Sequence, residues 1–222
     1  MRQKLNQVGI TITELVIVIT MAGFIAILLG GITITFYGAV LRSEVEARMV
    51  VDSQIILRDM VDELRVSSSV LQTNSITDAN GPGGGWNTSS ANAILIIETP
   101  VLAADGSFVI DDDTGDPFTN ELVYFAEDDT MFRRTLVNTT APENDRVLTC
   151  PEADVGTGGC ERADAELSND YTNMAFVFYD QDDILTSDTT LARSIDMTIN
   201  LQRRVFGQTV AIDNNIRTTL RN

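Results

Sequence analysis

The sequence predicts an α+β protein in which one long N-terminal helix is followed by an antiparallel β-sheet domain. Three observations predict it. Residues 10–41 form a run of 32 residues with a single charged side chain, Glu14. From Arg42 the charges return, yet apolar residues keep recurring at helical spacing as far as about Leu71. Beyond a glycine-rich stretch at 81–85 the chain changes to short β-branched and aromatic runs separated by turn residues. The 222 residues leave room for this helix and one further domain. That domain, of about 150 residues, is large enough for a single core.

The apolar run sets the first constraint. A helix over residues 10–41 rises roughly 48 Å at about 1.5 Å per residue, against roughly 30 Å of bilayer hydrocarbon, so it is long enough to span a membrane. The residues before it include Arg2 and Lys4 and no acid, which by the positive-inside rule holds the N-terminus in the cytoplasm and sends the rest across. A secretory signal would place a small-residue cleavage site after an apolar core of about 7 to 15 residues, and this run is about twice that length. Glu14 is the anomaly, since a carboxylate inside such a segment costs on the order of 2.5–3.5 kcal/mol and needs a partner. The small residues are ordered. Ala22, Ala26 and Gly30 recur every four positions, and the pairs Gly23/Gly30 and Gly31/Gly38 every seven. Such spacing lets helices approach closely, although small residues are common in membrane helices generally. The adjacent pair Gly30 and Gly31 weakens the helix, each by about 1 kcal/mol relative to alanine.

Residues 42–72 are expected to continue this helix in amphipathic form. Val45, Met49, Ile56, Met60 and Leu64 make a stripe widened by Val50, Leu57, Val61 and Leu71, while Arg42, Glu46, Arg48, Asp59, Asp62, Glu63 and Arg65 occupy much of the rest. A continuous helix to Leu71 would be about 93 Å long. Its second half would lie under its own domain, residues 73–222. Ser67-Ser68-Ser69 begins the break. The Ser/Thr/Asn-rich stretch 74–92, with Gly81-Pro82-Gly83-Gly84-Gly85 inside it, has loop chemistry. Trp86, the only tryptophan, is read as a staple holding that loop on the domain, with a contact role as the alternative.

Strands are expected at 93–99, where a β-branched run is stopped by Pro100, at 107–110, and at 121–126 and 131–137 flanking a hairpin at Glu127-Asp128-Asp129. Further strands are expected at 174–179, 195–205 and 208–212. In the penultimate one Ile195, Met197, Ile199 and Leu201 alternate with Asp196, Thr198, Asn200 and Gln202, the pattern of a sheet with one wet face. Phe206-Gly207 reads as a hairpin turn, and the segment ending at Leu220-Arg221-Asn222 as the closing strand.

The stretch Gly9-Ile10-Thr11-Ile12-Thr13-Glu14 and the apolar helix after it closely resemble the N-terminal motif of type IV prepilins and pseudopilins. The resemblance implies that residues 1–9 are a leader removed by a prepilin peptidase after Gly9. Ile10 would then become the methylated amino terminus, and Glu14, fifth in the mature chain, the carboxylate that guides assembly. Ile10 stands where the family most often has phenylalanine, and Thr13 where it prefers an aliphatic residue. Many pilins have a proline close to Gly30-Gly31, so a flexible or unwound spot is expected there in an assembled filament. The implied fold is the type IV pilin fold. Over about 50 residues, the Phe-Val-Phe-Tyr-Asp strand ending at Asp180, Ala192-Arg193-Ser194-Ile195 and the Leu-Arg-Asn end are similar to the larger minor subunits, the J-type pseudopilins and W-type minor pilins.

Charge and composition narrow the rest. A net charge of -17, or -19 once Arg2 and Lys4 are gone, argues against wholesale nucleic-acid binding and for an externally displayed surface. Basic pairs Arg133-Arg134 and Arg203-Arg204 read as local charge pairing, with DNA contact, as in competence pilins, the lesser reading. Export makes a disulfide between the only cysteines, Cys150 and Cys160, the expected pairing; zinc is the weaker reading, since the chain has no histidine and two thiolates do not complete a tetrahedral site. The missing histidine also removes the usual Ser/His/Asp and Cys/His sets, and no P-loop is present, so no enzyme and no small-molecule substrate is expected. No cofactor is expected either. Asp111, Asp113 and Asp116 leave calcium as an alternative, although glycine and glutamate are missing where an EF-hand loop needs them.

The resemblance thus implies a minor pilin or pseudopilin subunit of a type IV pilus or type II secretion-like filament. Its place before assembly would be the cytoplasmic membrane, single-pass with the domain outside, and afterwards the cell surface. Its partners would be the prepilin peptidase and other pilin or pseudopilin subunits met through the N-terminal helix. Adhesion, protein secretion and DNA uptake all remain open as the filament's task. The rival is a single-span membrane-anchored extracellular binding protein or receptor unrelated to filaments, which leaves the placing of Glu14 after Gly9 unexplained.

Overall fold

A computed structural model describes residues 11–83 and 85–220. The α+β class is as expected: one long apolar N-terminal helix packs its second half on a C-terminal domain of antiparallel sheets. The helix, α1, spans Ile12–Val66. Thr11 caps it, accepting the Glu14 N–H on its hydroxyl, while the Glu14 carboxylate reaches back to the Thr11 N–H. This reciprocal capping box satisfies two of the donors that a helix start leaves without partners.

The helix stops five residues short of Leu71. Ser67 adopts extended backbone and its hydroxyl donates to the Leu64 carbonyl at 2.7 Å. Ser69–Leu71 then forms strand β1, pairing with β2 (Leu95–Pro100). Leu71 therefore belongs to a sheet and not to the helical stripe. The neighbouring strand takes up the backbone groups that a longer helix would have kept, as in the bond from the Ser68 N–H to the Glu98 carbonyl.

Strand β3 (Thr119–Glu127) and β4 (Thr130–Leu136) form the expected hairpin, with Asp128 at positive φ in its turn. With β7 (Ala165–Ser168) they complete a sheet of order β1-β2-β3-β4-β7. Between β4 and β7, the short strands β5 (Thr149–Cys150) and β6 (Arg162–Ala163) pair in parallel. The second sheet has the order β11-β10-β8-β9, from β8 (Tyr171–Tyr179), β9 (Leu185–Thr186), β10 (Ser194–Val205) and β11 (Gln208–Thr219). Phe206 and Gly207, both at positive φ, make the two-residue turn between β10 and β11. The stretch 107–110 joins neither sheet; Phe108 and Ile110 make only isolated bridges, to Leu102 and Pro117.

One core joins both sheets to the helix. Met49, Ile56, Leu57, Met60, Val61 and Leu64 of α1 are buried against Leu95, Ile97, Leu122 and Tyr124 of the first sheet and Met174, Ile195, Met197 and Leu201 of the second. The alternation read in β10 is observed, with Ile195, Met197, Ile199 and Leu201 inward. The opposite face of the first sheet is also covered. Trp86 packs there with Ile96, Val123, Phe125 and Leu136, so it is the staple of the glycine-rich loop.

Candidate functional site

The first half of α1 is a bare apolar rod. From Ile12 to Leu41 its large hydrophobic side chains are exposed, Ile34 by 69% and Phe36 by 67%. It is long and apolar enough to cross a membrane. Threonine hydroxyls along it are accommodated within the helix itself. Thr20, Thr33 and Thr35 donate to the carbonyls of Val16, Leu29 and Gly31 at 2.8–2.9 Å, so these hydroxyls need no water. Helix runs unbroken through Gly30 and Gly31 in the single chain, and a Cβ at either would meet nothing within 4 Å. The expected leader cut after Gly9 and the new terminus at Ile10 lie outside the described residues. Glu14 lies inside them, at the very start of the rod, with Oε2 2.9 Å from both the Thr11 nitrogen and the Thr11 hydroxyl.

The second half is fastened to the domain by ion pairs as well as by the core. Asp59 accepts from Arg133 at 2.7 Å and from the Tyr124 hydroxyl at 3.1 Å, and Glu63 accepts from Arg146 at 2.9 Å. Burial pushes the Tyr124 hydroxyl well above its ordinary pKa of 10.0, and the Asp59 carboxylate beside it adds to the shift. Ser53, which interrupts the apolar stripe, is fully buried because it accepts a hydrogen bond from Asn214 of β11.

On the far face of the first sheet, Arg134 is the centre of a buried charge cluster. Its side chain is 3% exposed, and those of Asp78 and Asp164 are 6% exposed. The guanidinium reaches Asp78 at 2.9 Å and Asp164 at 2.6 Å, and lies 5.4 Å from the Trp86 ring and 5.2 Å from the Phe125 ring. Trp86 Nε1 donates to the same Asp78 carboxylate at 2.7 Å. Burial raises the pKa of Asp78, but hydrogen bonds from Arg134, Trp86 and the Asn80 N–H together outweigh it and hold the group below its ordinary 3.8. The sign follows. The stabilisation is complete above the unfolded value of 3.8 and is lost as pH falls through the lower folded value. We therefore expect the melting temperature to drop as pH falls below 3.8. Asp78→Asn should flatten part of that drop in melts followed by Trp86 fluorescence.

Arg133, Arg134 and Arg203 are thus all paired locally, Arg203 with Asp170 at 2.5 Å. None of these pairings has a short-range sequence signal. Cys150 and Cys160 form the expected disulfide, with Cα atoms 6.1 Å apart and both residues buried. It closes the loop between β5 and β6, next to the Asp164 that Arg134 holds. Reduction is expected to cost about 2–3 kcal/mol, measurable as a lower melting temperature in a reducing buffer and absent from a Cys150→Ser, Cys160→Ser variant. At Asp111, Asp113 and Asp116 the chain makes a tight turn: Asp111 Oδ1 accepts the Asp113 N–H at 2.9 Å and the Asp111 N–H donates to the Asp116 carbonyl. Among the described residues, no three acidic or cysteine side chains converge on one point.

No protein-family model matches this chain, and no curated protein matches it either.

Proposed function

We propose that the chain is a minor pilin or pseudopilin subunit, with a structural role in the assembly or at the tip of a type IV pilus or type II secretion-like filament. The observation that carries this reading is a single unbroken helix whose first half is bare and apolar while its second half is buried under its own domain. A rod of this kind suits two successive surroundings, the bilayer before assembly and the apolar helices of neighbouring subunits after it. The cytoplasmic membrane would hold the chain by one span, domain outside. Processing after Gly9 would make Ile10, the residue before the Thr11 cap, the new amino terminus, and the Glu14 carboxylate already accepts the Thr11 N–H. An amine and a carboxylate at 4 Å attract by about 4 kcal/mol at an effective dielectric near 20. That is comparable to the roughly 2.5–3.5 kcal/mol needed to bury the carboxylate.

Mass spectrometry of the protein recovered from its own host tests the reading. The expected mature chain begins at Ile10, carries an N-methyl group and retains the apolar rod. Recovery with Met1 still attached, or with the rod removed, would overturn it.

A further inference from the structure

We infer that the outer edge of β11 is a docking strand, to which an extended segment of another subunit adds as a fifth strand of the second sheet. The partner's identity as a subunit rests on the filament reading above. A long unpaired sheet edge is a template for strand addition, and proteins shorten, bend or cover such edges. Of the strands that end the two larger sheets, the other three are short: β1 has three residues, β9 two, and β7 four with a register shift against β4. β11 is the exception. It pairs with β10 over twelve residues without a bulge and contains no proline.

The two-residue turn at Phe206-Gly207 fixes which backbone groups are free. Gln208 and Val205 flank it as a hydrogen-bonded pair, so alternate residues from Gln208 onward bond to β10. Thr209, Ala211, Asp213, Asn215 and Arg217 therefore turn their N–H and C=O groups outward. The charges that would guard this edge are few. The Arg217 guanidinium is drawn away to Asp183, Ser194 and the Tyr179 ring, 4.1 Å from its centroid.

A groove of about 510 Å³ lies between this edge and α1, and consecutive β11 residues 214–216 line it, which places it at the edge and not over one face. Its apolar lining is Leu57, Val61 and Ile216. The helix wall from Gln54 to Arg65 is roughly 16 Å long, the length of about five extended residues. Arg58 and Arg65, 85% and 67% exposed, share one acid, Asp62, at 3.8 and 3.6 Å. The charged residues lining the groove, Arg58, Asp62 and Arg65, thus leave an excess positive charge there on a chain of net charge -17. A second copy of so acidic a chain is disfavoured by repulsion. The occupant this chemistry fits is a strand from a different subunit, apolar on the side facing Leu57 and Val61, with an acidic residue opposite Arg58 and Arg65.

Residue-resolved hydrogen exchange on the full chain, alone in detergent and within assemblies isolated from its host, tests this. In the chain alone, the amides of Thr209, Ala211, Asp213, Asn215 and Arg217 are expected to exchange freely, and in the assembly to slow by about tenfold or more. Ala211→Pro removes one outward N–H and no β10 bond, so it should leave the melting temperature of the single chain near that of the wild type while reducing incorporation. Arg58→Glu, on the groove wall, should reduce incorporation without touching the strand. Recovery of assemblies containing the chain with those five amides still exchanging freely would overturn this inference alone, as would wild-type incorporation of both variants. If no assembly contains the chain, the filament reading fails, and this inference with it.

Discussion

Arg134→Ala is expected to lower the unfolding free energy by about 3–5 kcal/mol, because it leaves two carboxylates, on Asp78 and Asp164, buried without a cation. For a domain of this size, that corresponds to a fall of roughly 10 °C in melting temperature. The loss is larger than the pair's net worth, since most of it comes from the acids left behind. Among the described residues, Asp78 would keep the Trp86 indole and the Asn80 N–H as its donors. Arg134→Lys keeps the charge but loses the forked contact with Asp164, made by Nε and Nη2 at 3.1 and 2.6 Å, and should fall between the two. Trp86 sits beside the guanidinium, so its fluorescence reports the melt where the damage is made. Arg48→Ala is the control. Its pair with Glu44 is exposed on the helix surface, and its removal should change nothing measurable. An Arg134→Ala melt indistinguishable from wild type would mean that the cluster is not buried as described.

If the chain is the filament subunit proposed above, Glu14→Ala should leave a cleaved, membrane-resident chain that no longer enters the filament. On its own that result is ambiguous, because Glu14 also closes the capping box with Thr11. Glu14→Gln separates the roles. Glutamine can accept the Thr11 N–H as glutamate does, so a purely local cap survives it. A charge that pairs with the Ile10 amine does not. Loss of incorporation in both variants supports the pairing. Rescue by glutamine would reduce Glu14 to a helix cap and remove the charge pairing from the filament reading.

Much of the fold was legible because its signals are local. The apolar run, the stripe through Met49, Ile56, Met60 and Leu64, the alternation in β10 and the turns at Asp128 and Phe206-Gly207 each lie within a few residues of sequence. The end of the helix was not. Leu71 fits the stripe as well as it fits a strand, and the choice fell to the strand because β2 was there to pair with it. The stretch 107–110 failed for the converse reason, having strand composition but no sheet to join. The buried cluster was equally hidden. Arg134 meets Asp164 across 30 residues and Asp78 across 56, and nothing in a chain so rich in acids marks those two.

By itself the sequence determined that this protein carries a long apolar rod with an acid at its start, followed by an antiparallel domain. Periodicity and hydropathy act over a few residues and need no distant partner. Only the tertiary structure decided where the rod ends, which acids surround Arg134, and which strand is left with open backbone groups. Each of those depends on which segment another part of the chain happens to reach, and burial sets the consequence, because a hydrogen bond or charge withdrawn from water must find its partner inside the protein.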